Sequence, residues 1–352
     1  MSLVKQLLRP LAEDGASLTR EQAAQVLEEI LAGGVPEIET AALLAVLATR
    51  GEQSSELAGF VDVMRLHAVS LPFSESERAE LVDCVGTGGG GPQTFNISCG
   101  AALVATAAGA RVAKHGNRAV TSRCGAADVL EALGVPIDLS PDLAVECLRE
   151  TGFVFLFAPL YHPAMKTLGP LRRALGFRTI FNLVGPLTNP AHARTQVVGV
   201  LAPSRVLLVG RTLAALGARR AFVVHGTDGI DELTTTGESV VARIEESESG
   251  QPELKAARIT PEMAGLTRAT LDEFTGGDIA TNKDLLYDVL TGIPGARRDV
   301  VLLNTAAVLV AAGLAGDLKE GVAMGAEAID SGQAAATLAK LQQFGAKHAT
   351  EQ

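Results

Sequence analysis

Two hydrophobic periodicities divide the chain. Up to about residue 72, apolar positions recur at three- and four-residue spacing and none alternate, so this stretch reads as helix only. Thr19-Arg20-Glu21-Gln22 is a capping box, in which a hydroxyl and an amide three residues on satisfy each other's backbone N–H groups. It opens a helix carrying Val26, Leu27, Ile30 and Leu31, stopped by Gly33-Gly34. Pro36 stands near the first turn of a second helix, through Leu43, Leu44 and Leu47 to Gly51. A third begins at about Ser55 with Leu57, Phe60, Val61 and Met64. Three short amphipathic helices make a thin core, so their apolar faces need cover. Either they cap the rest of the chain or they meet a second subunit, and both can hold.

From about residue 73, short apolar runs alternate with helical stretches. Leu81–Val85, Arg111–Ala113, Val154–Phe157, Gln196–Leu201, Ala221–His225 and Ser239–Ile244 read as strands. Ser98–Gly109 is Ala-rich and helical, Asp128–Leu133 is helical, and Ser140-Pro141 caps and starts another helix. Residues 161–190 are helical but irregular, and Arg298–Leu341 is helical and Ala-rich. Strands separated by helices predict an α/β fold: a mainly parallel sheet flanked by helices, with a small all-helical N-terminal domain.

The first strand runs into Gly86-Thr87-Gly88-Gly89-Gly90-Gly91, which cannot be the interior of a helix or strand. A helix follows whose entrance is crowded by Thr94, Asn96 and Ser98, and then the second strand, followed at once by Lys114, His115, Asn117 and Arg118. In a βαβ unit both loops emerge at the carboxyl edge of the sheet, where ligands of such sheets bind. Glycines let backbone N–H groups approach a ligand, and a helix amino end adds partial positive charge. Lys114 and Arg118 would add full charge, so the unit reads as an anion site able to hold two phosphate-bearing ends. A plain flexible turn is the alternative, but four consecutive glycines waste conformational entropy unless something approaches the backbone. Gly86, Gly88 and Gly91 satisfy the dinucleotide pattern G-x-G-x-x-G, yet that fingerprint wants an acidic residue where this chain has Lys114-His115. No Gly-Lys-Ser/Thr closes a Walker loop.

The chain has 352 residues, 47% of them hydrophobic and 20% charged, enough for a large core in one or two domains. Its net charge of −10 argues against nucleic acid or an anionic membrane as a general partner. An acidic protein that binds a polyanion must concentrate positive charge locally or recruit a metal. Cys84, Cys99, Cys124 and Cys147 show no zinc spacing and suit small buried residues in a reducing cytoplasm. Lys5 and Arg9 interrupt any signal-peptide pattern. The most apolar run, Val300–Gly316, contains Asn304 and Thr305 and is too short to span a bilayer.

Two further groups carry chemistry. Asp231-Glu232 follows the strand AFVVHG through a Thr-Asp-Gly turn. Paired carboxylates at a strand's carboxyl end suit Mg²⁺, and an acidic turn or helix start fits them equally. Arg172 and Arg173 lie with His162, Lys166 and Arg178 in a basic patch. That patch is either a solvated helix face or a grip for a planar carboxylate, for which arginine is well shaped.

VGTGGGGPQTFNIS, followed by VAKHGNRAVTSRCGAADVLEALG, resembles the anthranilate phosphoribosyltransferase family of tryptophan biosynthesis, whose motifs read GTGGDG…TFNIS and KHGNR. The likeness continues through YHPAMKTLGPLRRALGFRTIFNLVGPLTNPA, HGTDGIDEL and NTAAVL, in the family's order. It implies transfer of the 5-phosphoribosyl group of phosphoribosyl diphosphate to the amine of anthranilate, releasing diphosphate, with Mg²⁺ as cofactor and a homodimer as the assembly. It also implies a division into a helical domain of residues 1–72 plus about 165–190, which holds the dimer interface, and an α/β domain of 73–164 and 191–352.

By the same resemblance, Gly86, Gly89, Gly90, Thr94, Asn96, Ile97, Ser98 and Cys99 hold phosphoribosyl diphosphate from the first loop. Lys114, His115, Gly116, Asn117, Arg118, Ala119, Val120, Thr121, Ser122 and Ala126 hold it from the second. Arg172 grips the anthranilate carboxylate, Gly86 and Asn117 stand near its amine, and His115 and His162 line the channel; for either histidine a packed structural role is equally in keeping with its type. Ser98, Asp231 and Glu232 are the implied metal ligands. The reaction needs no protein nucleophile, and no residue stands out as acid or base. One departure is central: Gly90 stands where the family has Asp, which predicts an active enzyme with altered Mg²⁺ dependence. Cys124 and Ala126 also replace common serines, leaving Ala126 only its backbone N–H for phosphate. Two rivals are a pyrimidine nucleoside phosphorylase, opposed by the RTIFN segment and the acidic pair, and a catalytically silent nucleic-acid binder, opposed by the net charge and the retained site residues.

Overall fold

The computed structural model describes residues 2–88, 91–119, 122–247 and 251–348. Four helices come first: α1 (Leu3–Glu13), α2 (Arg20–Leu31), α3 (Glu37–Arg50) and α4 (Ser54–Leu66). The Thr19 box forms as expected, with Thr19 Oγ1 and the Gln22 side chain each accepting the other's N–H. Gly33 ends α2 at φ +74°, a conformation that favours glycine. The sequence reading missed α1, whose pattern is interrupted by Lys5, Arg9 and an internal Pro10.

The α/β part follows as α5 (Glu75–Glu80), β1 (Leu81–Gly86), α6 (Ile97–Ala107), β2 (Arg111–Gly116), α7 (Ala126–Ala132), α8 (Pro141–Thr151) and β3 (Phe153–Phe157). An excursion carries α9 (Ala158–Tyr161), α10 (Met165–Leu175) and α11 (Phe181–Val184). The chain then returns through β4 (Thr195–Gly199), α12 (Pro203–Ala215), β5 (Arg220–Gly226), β6 (Ser239–Glu246) and β7 (Pro252–Ile259). It closes with α13 (Ile279–Leu290), α14 (Ala296–Ala312), α15 (Leu318–Asp330) and α16 (Gln333–His348). β7 was not expected: its charged residues face solvent at the sheet edge, so no apolar run marks it.

The seven strands lie in the order β3-β2-β1-β4-β5-β6-β7. The first five are parallel, and β6 and β7 are antiparallel, so the sheet is mainly parallel as expected. Alternate residues feed two hydrophobic cores. Cys84, Val197, Phe222 and Val224 face α6, α8 and α14–α16. Val85, Val198, Ala221 and Val223 face α12, the N-terminal helices and the excursion, through Leu168, Ile180 and Phe181. α10 packs on α3 and α11 on α4. Side-chain bonds join the two parts: Arg205 of α12 pairs with the buried Glu52, and Arg65 Nε donates to Leu187 O at 3.0 Å.

Candidate active site

Strand order reverses between β1 and β4, which is where parallel sheets open a ligand crevice. The turn after β5 folds back onto that point. Asp231 lies so close over both strand ends that a Cβ on Gly86 would sit 2.5 Å from its Oδ2, and one on Gly199 would sit 1.6 Å from its carbonyl oxygen. Glycine is therefore required at position 199, where the clash is with main chain, and at position 86 a side chain would push the Asp231 carboxylate aside. Gly88, at φ +55°, donates its N–H to Asp231 Oδ2 at 3.0 Å, which ties the glycine loop to the acidic turn.

Asp231, with Glu232 beside it, is thus brought to the glycine loop. Among the described residues Glu232 Oε2 is buried with no hydrogen-bond partner. Burial first, and Asp231 beside it, push the Glu232 pKa well above the usual carboxylate range. An orphaned, buried carboxylate oxygen next to a second carboxylate is the donor set a hard cation would satisfy. Among the described residues no group of three His, Cys, Asp or Glu forms a self-contained metal cage. Asp228 braces the same turn, accepting from Thr234 Oγ1 at 2.6 Å and Thr236 Oγ1 at 2.8 Å. On its far side Asn304 of α14 accepts from Leu233 N at 3.0 Å and donates to Leu233 O at 2.8 Å.

α6 begins at Ile97, and its N-cap residue Asn96 makes no capping bond. Asn96 is used instead to join loops: its Nδ2 donates to Cys124 O at 3.3 Å and its Oδ1 accepts from Asn282 at 3.0 Å. Thr94 bridges Thr275 through the main chain, so it helps anchor the loop. Ile97 and Cys99 are buried in the first turn of α6, and Ser98 is partly open. The helix entrance expected to hold capping side chains therefore has its polar side chains turned to other work.

β2 runs three residues further than expected, to Gly116, because it pairs with β3 from Val112 to Gly116. Lys114 and His115 are consequently strand residues, both buried. Lys114 Nζ donates to Cys84 O and, at 3.3 Å, to Ser98 Oγ. Burial opposes its charge, but Cys99, Cys84, Asp83 and Glu232 around it leave its pKa raised. His115 and His162 meet edge to face at 5.0 Å between ring centroids. Burial lowers the two pKa values to about 3 and about 4, so both imidazoles are neutral. His115 Nε2 is buried without a partner among the described residues, whereas His162 has main-chain neighbours at Thr188 and Met64. A nitrogen such as His115 Nε2 is suited to a ligand or a water rather than to proton storage.

The positive charge expected from Arg118 is a different matter. Arg118 Nη1 lies 3.0 Å from Asp128 and 2.7 Å from Glu131, so its charge is already matched inside its own loop. Asp128 Oδ2 also accepts from Ala119 N and Gly125 N, at 3.0 and 2.9 Å, which clamps both ends of the second loop. The helix that supplies Asp128 starts at Ala126, two residues earlier than predicted. Asn117 and Ser122 are exposed. Gly116 is close under Phe155, whose ring a Cβ would meet at 2.8 Å. Gly89, Gly90, Val120 and Thr121 lie outside the described residues.

Arg172 stands apart from these loops, in the last turn of α10. Its guanidinium lies over the Phe181 ring at 5.6 Å, and burial lowers its pKa. It takes part in none of the ion pairs among the described residues, which leaves a half-buried cation for an anionic ligand. The four cysteines are free and buried, as expected, and burial pushes Cys84 up to about 12. Sequence reasoning missed Asp83, Asn189, Asp228 and Asn304. An acidic residue inside the apolar strand LVDCVG and an amide inside the most apolar helix were the signals available for the first and last.

A helical bundle beside a mainly parallel sheet, with a glycine loop facing an acidic turn at the switch point, defines a class. Residues 78–335 match the a/b domain of the Glycosyl transferase family, and residues 5–68 match its helical bundle domain. Within that class the chain belongs to the anthranilate phosphoribosyltransferase family. It is 47% identical over 327 residues to the anthranilate phosphoribosyltransferase of Rhodopseudomonas palustris strain BisA53, covering 93% of this chain and 94% of that one. The crystal structure of the Thermus thermophilus enzyme superposes with a TM-score of 0.87 at 42% identity, covering 98% of this chain and 99% of that one. The Saccharomyces cerevisiae enzyme, solved with PRPP (phosphoribosyl diphosphate) and Mg, gives a TM-score of 0.85 at 26% identity over 98% of each chain.

Proposed function

We propose that this chain transfers the 5-phosphoribosyl group of phosphoribosyl diphosphate to the amine of anthranilate and releases diphosphate. One observation carries the reading: on a protein of net charge −10, glycine main chain, the amino end of α6 and the buried Lys114 ammonium converge opposite the Asp231-Glu232 turn. Such a pocket suits a polyanion that brings a divalent cation with it.

The roles follow from the chemistry of each group. Main-chain N–H groups of the two loops and Lys114 hold the phosphates. Asp231, Glu232 and Ser98 would hold Mg²⁺, which when bound would neutralise charge on the diphosphate. The Arg172 fork takes the anthranilate carboxylate bidentately. The neutral His115 and His162, with Asn117 and the Gly86 backbone, line the path of the aromatic amine. No side chain attacks carbon; the chain positions the two reactants, which can supply roughly 7–11 kcal/mol of a barrier. The amine gives its proton to solvent or product.

The same reading takes residues 1–72 with about 165–190 as a helical domain that forms a homodimer in the cytoplasm. A groove of about 440 Å³ between α1, α2 and α4, lined by Leu3, Ala24, Val63 and Leu66, supports a partner there. Leu66 is 76% exposed and Ile38 on α3 is 79% exposed. Four buried free thiols suit a reducing compartment.

Anthranilate fluorescence tests the activity. It should decay only with phosphoribosyl diphosphate and Mg²⁺ present, and Arg172→Ala should raise the KM for anthranilate at least tenfold. No decay across a wide Mg²⁺ range, in folded protein, would refute the assignment.

A further inference from the structure

We propose that Asp83 is a positioning residue for phosphoribosyl diphosphate, standing in for the main-chain ladder where β1 and β2 part and thereby setting the spacing of the two phosphate-facing loops. The inference rests on the function proposed above and adds a residue to it.

β1 and β2 pair only at Leu81 with Arg111 and Val82 with Val112. Beyond that point β1 is held by β4 as far as Gly86, and β2 by β3 as far as Gly116. The two strands that lead into the ligand loops therefore have no ladder between them along their last four residues, although they stay side by side. Loss of the ladder strips main-chain groups of their partners, and buried groups must be repaired. Three side chains reach into the gap to do so. His115 N donates to Asp83 Oδ1 at 3.1 Å. Cys84 O accepts from Lys114 Nζ. Ala113 O accepts from Asn189 Nδ2 at 2.8 Å.

Asp83 is the unexpected member of this set. It is fully buried, and among the described residues its Oδ2 has no hydrogen-bond partner, although the Asn189 side chain and Cys84 N–H lie near enough to favour its charge. A buried carboxylate with a spare oxygen is unfavourable in itself, and more so in the wall of a site for a polyanion. Its neighbours in β1, Val82, Cys84 and Val85, are buried and apolar. A carboxylate provides what valine cannot: an acceptor for His115 N–H across the gap, and a counter-charge for Lys114. Lys114 in turn continues to Ser98 at the start of α6, so the width of the gap decides where the ammonium and the helix end stand relative to the glycine loop. Asn189, which also accepts from Ala191 N at 2.9 Å, fixes the other side of the gap from the loop before β4.

The test compares full-length wild type with Asp83→Ala and Asp83→Asn. Asparagine keeps an oxygen acceptor and the volume; alanine keeps neither. Hydrogen exchange of residues 111–116 is measured without substrates, and KM is measured for each substrate. Asp83→Ala should raise the KM for phosphoribosyl diphosphate at least tenfold, leave that for anthranilate within twofold, and speed exchange in β2 at least tenfold. Asp83→Asn should bring the first KM back to within threefold of wild type. If Asp83→Ala does not fold, Asp83→Thr carries the same comparison. A residue needed only for folding would lower the active fraction with both KM values unchanged, and that result overturns the inference. So does an Asp83→Asn enzyme as impaired in KM as Asp83→Ala. If wild type transfers no phosphoribosyl group, the proposed function fails; exchange is then the readout, and equal rates in wild type and Asp83→Ala overturn the role given to Asp83.

Discussion

Asn304 offers a quantitative test of how the acidic turn is held. Its side chain reaches from α14 to both main-chain groups of Leu233, the residue after Glu232, while also bonding Val300 O in its own helix at 2.9 Å. Leu233 is fully buried and Asn304 is 2% exposed, so no water stands ready to replace the amide. Replacing it by leucine keeps the volume and orphans one N–H and one C=O. Each orphan costs about 1–3 kcal/mol, and partial relaxation brings the pair to about 2–4 kcal/mol. For large domains, about 2–4 °C of midpoint accompanies each kcal/mol, so Tm should fall by about 4–16 °C. Urea and thermal unfolding of Asn304→Leu and Asn304→Ala would measure this. The half-saturating Mg²⁺ concentration should rise severalfold in the same variants, because Glu232 loses its fixed neighbour. A loss below about 0.5 kcal/mol in Asn304→Leu, with larger damage in Asn304→Ala, would show that volume and not the two bonds matters, and would refute the reasoning.

Other expectations concern pH and metal. His115 and His162 titrate in the folded protein near 3 and 4, below the ordinary imidazole value of about 6.5. The unfolded chain therefore binds more protons between those values, and stability present above about pH 6.5 is lost as pH falls toward 4. Asp83, which burial pushes to about 6, and Glu232, which burial raises well above the carboxylate range, work in the opposite sense, so the histidine contribution is read against a variant. Between pH 7 and pH 4.5 the urea midpoint of wild type should fall relative to that of His162→Gln; an identical change in the two proteins would remove His162 from this account. Gly90→Asp should lower the Mg²⁺ concentration needed for half-maximal rate, and superimposable Mg²⁺ titrations for the two proteins would dismiss the importance of that position.

Legibility in the sequence followed the range of the interaction. The β1–loop–α6–β2 unit, the acidic pair and the Thr19 box are local patterns of glycine, charge and capping residues, and they could be read directly. The end of β2 could not, because Lys114 and His115 look like loop residues until β3 is seen to pair with them. Arg118 looked like free charge because Asp128 and Glu131 come ten and thirteen positions later and only a turn brings them back. Asp83 and Asn304 act across 32 and 71 positions, on main chain that carries no side-chain signal of its own. β7 failed for the opposite reason: an edge strand facing water has no hydrophobic mark.

The excursion between β3 and β4 has a consequence for descent. Arg172 and Phe181 ride on helices that pack with α3 and α4, whereas Lys114, Asp83 and the acidic turn belong to the sheet. In the proposed division of labour, the grip on the acceptor's carboxylate is carried by an insertion, while the scaffold it is inserted into handles the activated sugar and lines the path of the amine. Drift in residues 158–194 can then change which acid group is gripped while the donor machinery stays under separate selection. A lineage with this architecture can alter one half of acceptor recognition by rewriting one continuous stretch of its gene.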